Sequence, residues 1–131
     1  MSFVYTDFPI IEHFSFRELI KTDTGIENIP TTFYIVCNLL HLAETLEEIR
    51  EYVGVPIIIN SAFRTIDVNN AVGGVDNSLH TYGLAADITC VGSSFETLKK
   101  CCKEFKQINQ LAECIVHDDK KFIHIGIHEN I

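Results

Sequence analysis

The sequence predicts an α+β fold, in which helices pack on a small antiparallel sheet. Apolar residues recur at three- and four-residue steps over residues 33–52, which is the period of a helix buried on one face. Two short β-branched runs, 113–117 and 122–128, are separated only by the polar segment 118–121. Because a short polar segment of this kind is typical of a hairpin turn, these two runs are predicted to pair as antiparallel strands.

The first half of the chain is predicted to be mainly helical. Ser15 can cap a short helix, because Glu18 follows three residues later in the spacing of a capping box. A longer helix follows Pro30, runs to about Tyr52 and ends at Gly54. Its predicted apolar face consists of Phe33, Val36, Cys37, Leu40, Ala43, Leu46 and Ile49.

The second half is predicted to alternate strands with helices. Residues 55–60 are β-branched and short, which favours a buried strand, and residues 65–77 are predicted as a short helix and a loop. Residues 84–90 form the second predicted strand, and residues 93–105 the second long helix. The hairpin supplies the third and fourth strands.

Size and charge limit the classes of function. A chain of 131 residues is expected to form one domain over residues 1–131. The net charge of −8 argues against binding to nucleic acid or to anionic lipid, so we expect neither as a partner. The N-terminal residues lack a basic region followed by an apolar run, so we expect synthesis in the cytoplasm without a signal peptide.

Two histidines and an aspartate form a candidate metal site. His80 and Asp87 lie seven positions apart, and His124 lies in the apolar run of the last strand. Because side chains alternate along a strand, His124 is expected to point away from its isoleucine neighbours and toward a cleft. A lone histidine on a strand is more often a hydrogen-bonded or surface residue, but two imidazoles and a carboxylate suit a zinc ion that keeps one position open. The five cysteines form no Cys-x-x-Cys pair and are expected to be reduced core residues.

Several short motifs resemble the zinc D-alanyl-D-alanine peptidase family. That family includes small phage endolysins, the D,D-dipeptidases of vancomycin resistance and, by fold, the hedgehog signalling domain. The resemblance covers nearly the whole chain and implies the zinc fold that these proteins share. The matching motifs are Phe14-Ser15-Phe16-Arg17-Glu18-Leu19, Asn60-Ser61-Ala62-Phe63-Arg64, Asn69, Val72-Gly73-Gly74, Asn77-Ser78, His80-x-x-Gly83-x-Ala85-x-Asp87 and Phe122-Ile123-His124.

The resemblance also implies roles for individual residues. It implies that His80, Asp87 and His124 bind one zinc ion. It implies that Arg64 holds the carbonyl or carboxylate of the substrate, a task that suits the fixed fork of a guanidinium group. Ser78 matches a family position beside the substrate, which predicts a substrate contact.

The general base is the point at which this chain departs from part of the family. Many members carry an acidic residue three positions before the last ligand, where this chain has Lys121. Other branches carry the acid six positions before that ligand, and this position is Asp118. We therefore predict Asp118 as the catalytic base and keep Asp119 as the second candidate. Both aspartates can instead serve only to form the turn.

These expectations favour a zinc metallopeptidase that hydrolyses peptidoglycan stem peptides at bonds involving D-amino acids. The enzyme would be a D-Ala-D-Ala carboxypeptidase or an endopeptidase, and we expect it to be a monomer. A phage endolysin that acts on the cell wall after release by lysis fits the small size of the chain. Lys121 motivates the alternative of a non-catalytic, zinc-stabilised binding module, and a phage structural component is a further alternative.

Overall fold

A computed structural model describes residues 9–129, and its centre is a four-stranded antiparallel sheet. The strand order is β3-β4-β6-β5, and a separate two-stranded hairpin, β1–β2, precedes the first helix. The predicted α+β class is confirmed. The elements are β1 (Pro9–Ile11), β2 (Phe14–Ser15), α1 (Phe16–Ile20), α2 (Phe33–Val53), β3 (Ile58–Ser61), α3 (Ile66–Ala71), β4 (Ala85–Thr89), α4 (Phe95–Gln107), β5 (Glu113–His117) and β6 (Phe122–Gly126).

The strand boundaries differ from the predicted ones for identifiable reasons. The run predicted from residue 55 joins the sheet only at Ile58, since Pro56 has no N–H to donate to a strand partner. The last strand was predicted to reach residue 128 but ends at Gly126, which pairs with Ala85, the first residue of β4. The β1–β2 hairpin and a short 3-10 helix at Leu79–Tyr82 were not predicted.

The structure contains the predicted cap of the first helix and the predicted end of the long helix. Ser15 and Glu18 form a complete capping box at α1. Thr32 caps α2, and Gly54 ends it in the left-handed conformation at φ 80°. None of the helices within residues 9–129 has both the length and the hydropathy needed to cross a membrane.

The buried face of α2 is rotated from the predicted one. Phe33 and Leu40 were placed on the apolar face, but they are 82% and 40% exposed. Leu39 and Leu42 are buried in their place, together with Leu46. Adjacent leucines fit two overlapping helical stripes, and periodicity alone could not choose between them.

One face of the sheet forms the core. Ile88 of β4 and Ile123 and Ile125 of β6 are fully buried in one cluster with Leu46 of α2 and Leu98 of α4. Alternation along β4 and β6 then directs Asp87 and His124 to the opposite face, as the sequence pattern predicted. Helices α2 and α4 therefore cover one side of the sheet, and the polar candidates lie on the other.

The cysteines behave as core residues. All five are free thiols, and Cys90, Cys101 and Cys102 are buried. Burial raises the pKa of Cys101 to about 12, so this thiol stays protonated at neutral pH. The buried thiols of Cys101 and Cys102, whose pKa values burial raises, are accordingly unreactive and are poor metal ligands.

Truncation of a buried leucine of α2 should destabilise the protein much more than truncation of an exposed one. Leu46→Ala leaves a cavity in the core and should lower the free energy of unfolding by about 2–5 kcal/mol. Leu40→Ala, on the exposed side of the same helix, should change it by roughly 0.5 kcal/mol or less. Equilibrium unfolding in urea measures both, and equal losses would contradict the assigned face.

Candidate metal centre

A capped turn positions His80. The residue lies in the 3-10 helix Leu79–Tyr82, where Ser78 Oγ accepts a hydrogen bond from the His80 backbone N–H at 3.2 Å. Gly83 ends the turn with φ 75°, a conformation that favours glycine. The backbone N–H of Arg64 donates to the His80 carbonyl oxygen at 3.0 Å, which fixes the turn to the end of β3. His80 is consequently buried, with only 3% of its surface exposed.

Strand pairing positions the other two residues. Asp87 and His124 are directly opposite each other in the β4–β6 ladder, so their side chains leave the sheet side by side. Register therefore brings together two residues that are 37 positions apart in the sequence.

Three side-chain atoms converge on one point above the sheet. Asp87 Oδ1 lies 3.2 Å from His80 Nε2 and 3.0 Å from His124 Nδ1. One ligand atom from each of the three residues lies within 4.8 Å of the others. The structure thus brings together the predicted ligand set, and the ligation itself stays a prediction.

The outer nitrogen of each imidazole has an acceptor of its own. His80 Nδ1 donates to the Ala62 carbonyl oxygen at 2.6 Å, and His124 Nε2 donates to Glu113 Oε1 at 2.7 Å. In neutral rings, these bonds leave the lone pairs of His80 Nε2 and His124 Nδ1 directed at Asp87. Two lone pairs and a carboxylate oxygen repel each other unless a cation, either protons or a metal ion, lies among them. The donor set and its oriented outer nitrogens fit zinc.

The charge of Asp87 is stabilised from two sides. Without a metal ion, protons on the facing nitrogens serve as the cation: burial alone would raise the pKa of Asp87, but hydrogen bonds from His124 and His80 then hold it well below its ordinary value. Asp87 Oδ2 accepts a bond from Arg64 Nη2 at 3.2 Å. Asp87 is therefore ionised at neutral pH, as a metal ligand must be.

Arg64 lies beside the three residues and is already bonded to protein groups. Besides Asp87, its guanidinium group donates to Ser61 Oγ at 3.0 Å and to Asn69 Oδ1 at 3.2 Å. A cleft of about 520 Å³ begins at Ser61 and Arg64 and extends to Lys21. Arg64 thus lies between the candidate metal centre and an open cleft, and its contact with a substrate stays a prediction.

Ser78 has a structural task at this site. Its side-chain oxygen accepts the His80 N–H, its carbonyl oxygen accepts Thr81 Oγ1 at 2.7 Å, and the residue is 8% exposed. These bonds shape the turn that carries His80. A substrate contact by Ser78 stays a prediction.

Asp118, the predicted base, forms a hydrogen bond with a lysine of α4 and not with the candidate ligands. It lies in the β5–β6 turn, and its Oδ1 accepts a hydrogen bond from Lys99 Nζ at 2.8 Å. Lys99 belongs to α4, which covers the sheet face opposite Asp87. This bond lowers the pKa of Asp118, so the carboxylate is ionised. The turn also contains Asp119, the second candidate, and among the described residues neither aspartate forms a hydrogen bond with the three converging side chains.

Sequence reasoning missed Glu113, a carboxylate that contacts His124, one of the three candidate ligands. The alternation of side chains along the predicted hairpin could have indicated this contact. Alternation from Ile115, which pairs with His124, places Glu113 on the same face of the sheet. His117 shares that face and stacks on Phe122, with ring centroids 4.3 Å apart.

Comparison with known proteins finds similarity to peptidases. The model of the Peptidase M15 family matches residues 12–126. A zinc D-Ala-D-Ala carboxypeptidase of Streptomyces albus G is 40% identical to this chain over 48 residues. That alignment covers 37% of this chain and 19% of the Streptomyces protein, so the chain spans only a small part of this curated relative.

Loss of one imidazole should abolish tight zinc binding. His124→Ala removes a ligand and should weaken zinc binding at least about 100-fold, because two ligands remain. His128→Ala is the matched control, since His128 is exposed and lies just beyond the same strand. Calorimetric titration with zinc should give one site in the wild type and in the control. Unchanged affinity in His124→Ala would show that zinc binds elsewhere.

Proposed function

Because this chain belongs to the peptidase M15 family and is therefore a metallopeptidase, we propose that it hydrolyses peptidoglycan stem peptides at bonds involving D-amino acids. The observation that carries the proposal is the convergence of two oriented imidazole lone pairs and an ionised carboxylate on one point. The name of the Streptomyces relative supports both zinc and a D-Ala-D-Ala bond. A terminal D-alanine would be removed, or a cross-link within the wall would be cut.

His80, Asp87 and His124 would hold one zinc ion. When bound, the ion supplies a water of lowered pKa and polarises the scissile carbonyl group. The chain itself orients the ligands through acceptors on the outer nitrogens of both rings and through Arg64, which holds the second oxygen of Asp87.

Arg64 would orient the substrate at the edge of the cleft. Three of the five N–H donors of a guanidinium group are occupied by Ser61, Asn69 and Asp87, which fixes its plane. A fixed guanidinium group binds a carbonyl or carboxylate with little loss of side-chain entropy on binding. The cleft that begins at Arg64 would then receive the peptide.

Asp118 is proposed as the general base, with Asp119 as the second candidate. The base takes a proton from the attacking water and passes it to the leaving amine. For this task the Asp118 carboxylate must leave Lys99 and turn toward the face that carries His124. The ion pair keeps Asp118 ionised, which is the state in which a base accepts a proton.

The proposed setting is that of a phage endolysin. The enzyme would be made in the cytoplasm, would act as a monomer and would reach its substrate after lysis. The resemblance to small endolysins supports this setting. The substrate would be a peptide rather than a nucleic acid, in agreement with the net charge of −8.

A specific observation favours the second candidate function, a non-catalytic zinc-stabilised module. Lys121 occupies a position where many relatives carry an acid, and Asp118 is paired with Lys99 instead of facing the three converging residues. Such a module would bind zinc through the same three residues and would release no product from peptidoglycan.

Asp118→Asn should separate the two functions. If Asp118 is the base, the substitution should lower kcat by about 10²- to 10⁴-fold and leave zinc affinity unchanged, since the carboxylate does not contact the ligands. Asp119→Asn is the matched control and should retain most of the activity. Mass spectrometry of purified peptidoglycan after incubation with each zinc-loaded protein gives the products and the bond that is cleaved.

The activities of Asp119→Asn and of the wild type show which residue is the base and whether the protein is a peptidase at all. Loss of product only in Asp119→Asn would move the base to the second candidate. Absence of product from the wild type, across walls of several chemistries and with zinc bound, would contradict the peptidase and favour the binding module.

A further inference from the structure

We propose that Glu113 is a positioning residue that orients His124 toward the metal, and that Gly126 is required for this contact. The inference rests on the proposed zinc site and assigns a role to a residue outside the ligand set. It accounts for a glutamate on β5 and a glycine on β6 that the ligand motif does not include.

Glu113 accepts its hydrogen bond from the outer ring nitrogen of His124. Glu113 Oε1 lies 2.7 Å from His124 Nε2, the ring nitrogen opposite the one that faces Asp87. A carboxylate only accepts hydrogen bonds, so Nε2 carries a hydrogen, and when a metal ion replaces the proton between Nδ1 and Asp87, Nδ1 presents its lone pair to that ion. The contact thus selects the tautomer of His124 that can bind a metal through Nδ1.

The register of the β5–β6 hairpin places Glu113 diagonally from His124. Ile115, not Glu113, is directly opposite His124, and Glu113 is opposite Gly126. Glu113 must therefore reach diagonally along the sheet, across a separation of roughly 7–8 Å between such neighbours. A glutamate is long enough for this reach, provided that the space above its direct partner is free.

Gly126, the direct partner of Glu113, has no side chain to block this reach. The positive φ values of the described glycines occur at Gly25, Gly54, Gly73 and Gly83, so the backbone conformation of Gly126 does not require glycine. A Cβ added at Gly126 would lie 2.8 Å from Glu113 Oε1, 2.8 Å from Leu79 Cδ1 and 3.1 Å from Glu113 Cβ. The side chain of Glu113 therefore shares with Leu79 the volume that any other residue at position 126 would fill.

Glu113 completes a pattern in which each candidate ligand has one outer partner. The Ala62 carbonyl holds His80, Arg64 holds Asp87, and Glu113 holds His124. Because Glu113 contacts the nitrogen on the far side of the ring, it is placed to orient the ligand and not to accept a proton from the attacking water.

The test compares zinc affinity in variants of the full chain, measured by competition with a chelator. Glu113→Ala removes the acceptor and should weaken zinc binding about 10- to 100-fold. Glu113→Gln retains an acceptor oxygen and should restore most of that affinity. Glu51→Gln, at an exposed position on α2, is the control and should bind zinc as the wild type does.

Gly126→Ala supplies an independent test of the same contact. It should displace Glu113 and weaken zinc binding in the same direction as Glu113→Ala. A further loss of affinity on adding Gly126→Ala to Glu113→Ala would measure the effect of its contact with Leu79, and the part of the Gly126→Ala effect that acts through Glu113 should disappear in that background. The visible spectrum of the cobalt-loaded protein should shift in Glu113→Ala and Gly126→Ala, whereas a purely structural role would leave it unchanged.

The outcomes distinguish this proposal from the proposed function. If the wild type binds zinc and releases product from peptidoglycan while Glu113→Ala has wild-type affinity and an unchanged cobalt spectrum, only the role of Glu113 is overturned. If the wild type binds no zinc, both proposals fail. If Glu113→Ala binds zinc weakly but the wild type releases no product, the role of Glu113 stands and the peptidase is contradicted.

Discussion

The site depends on the burial of one ionised carboxylate. Asp87 is largely buried, and both of its oxygens are occupied: Oδ1 faces His80 and His124, and Oδ2 accepts a bond from Arg64. A buried charge is unfavourable unless charged or hydrogen-bonding partners surround it. The two imidazoles, with a proton or a metal ion between them and the carboxylate, and the guanidinium group therefore stabilise the ionised form of Asp87.

The fold supplies these partners from separate elements. β4 lies between β3 and β6, so Asp87 has Ser61 on one side and His124 on the other. The adjacent apolar residues of β4 and β6 point into the core beneath α2 and α4, which fixes the register of both strands. A slip of one residue would turn Asp87 into the core, so packing on one face of the sheet holds the polar cluster on the other.

The sequence predicted the parts of this arrangement that follow from local pattern. Alternation alone predicted that Asp87 and His124 leave the core, and the resemblance grouped them with His80. The partners of the acidic residues could not be predicted in the same way. The bond from Lys99 to Asp118 joins a helix to a turn 19 positions away, and the bond between Glu113 and His124 depends on a diagonal contact in the hairpin. Both depend on tertiary register, which composition and spacing do not specify.

Two imidazoles and one carboxylate of this chain are proposed to form a zinc site. X-ray absorption at the zinc edge, on protein loaded with one equivalent of zinc, measures the ligands of the ion. We expect only nitrogen and oxygen neighbours, at about 2.0–2.2 Å, with the more distant scattering of two imidazole rings. A sulfur neighbour at about 2.3 Å, or a shell without imidazole scattering, would contradict the proposed site.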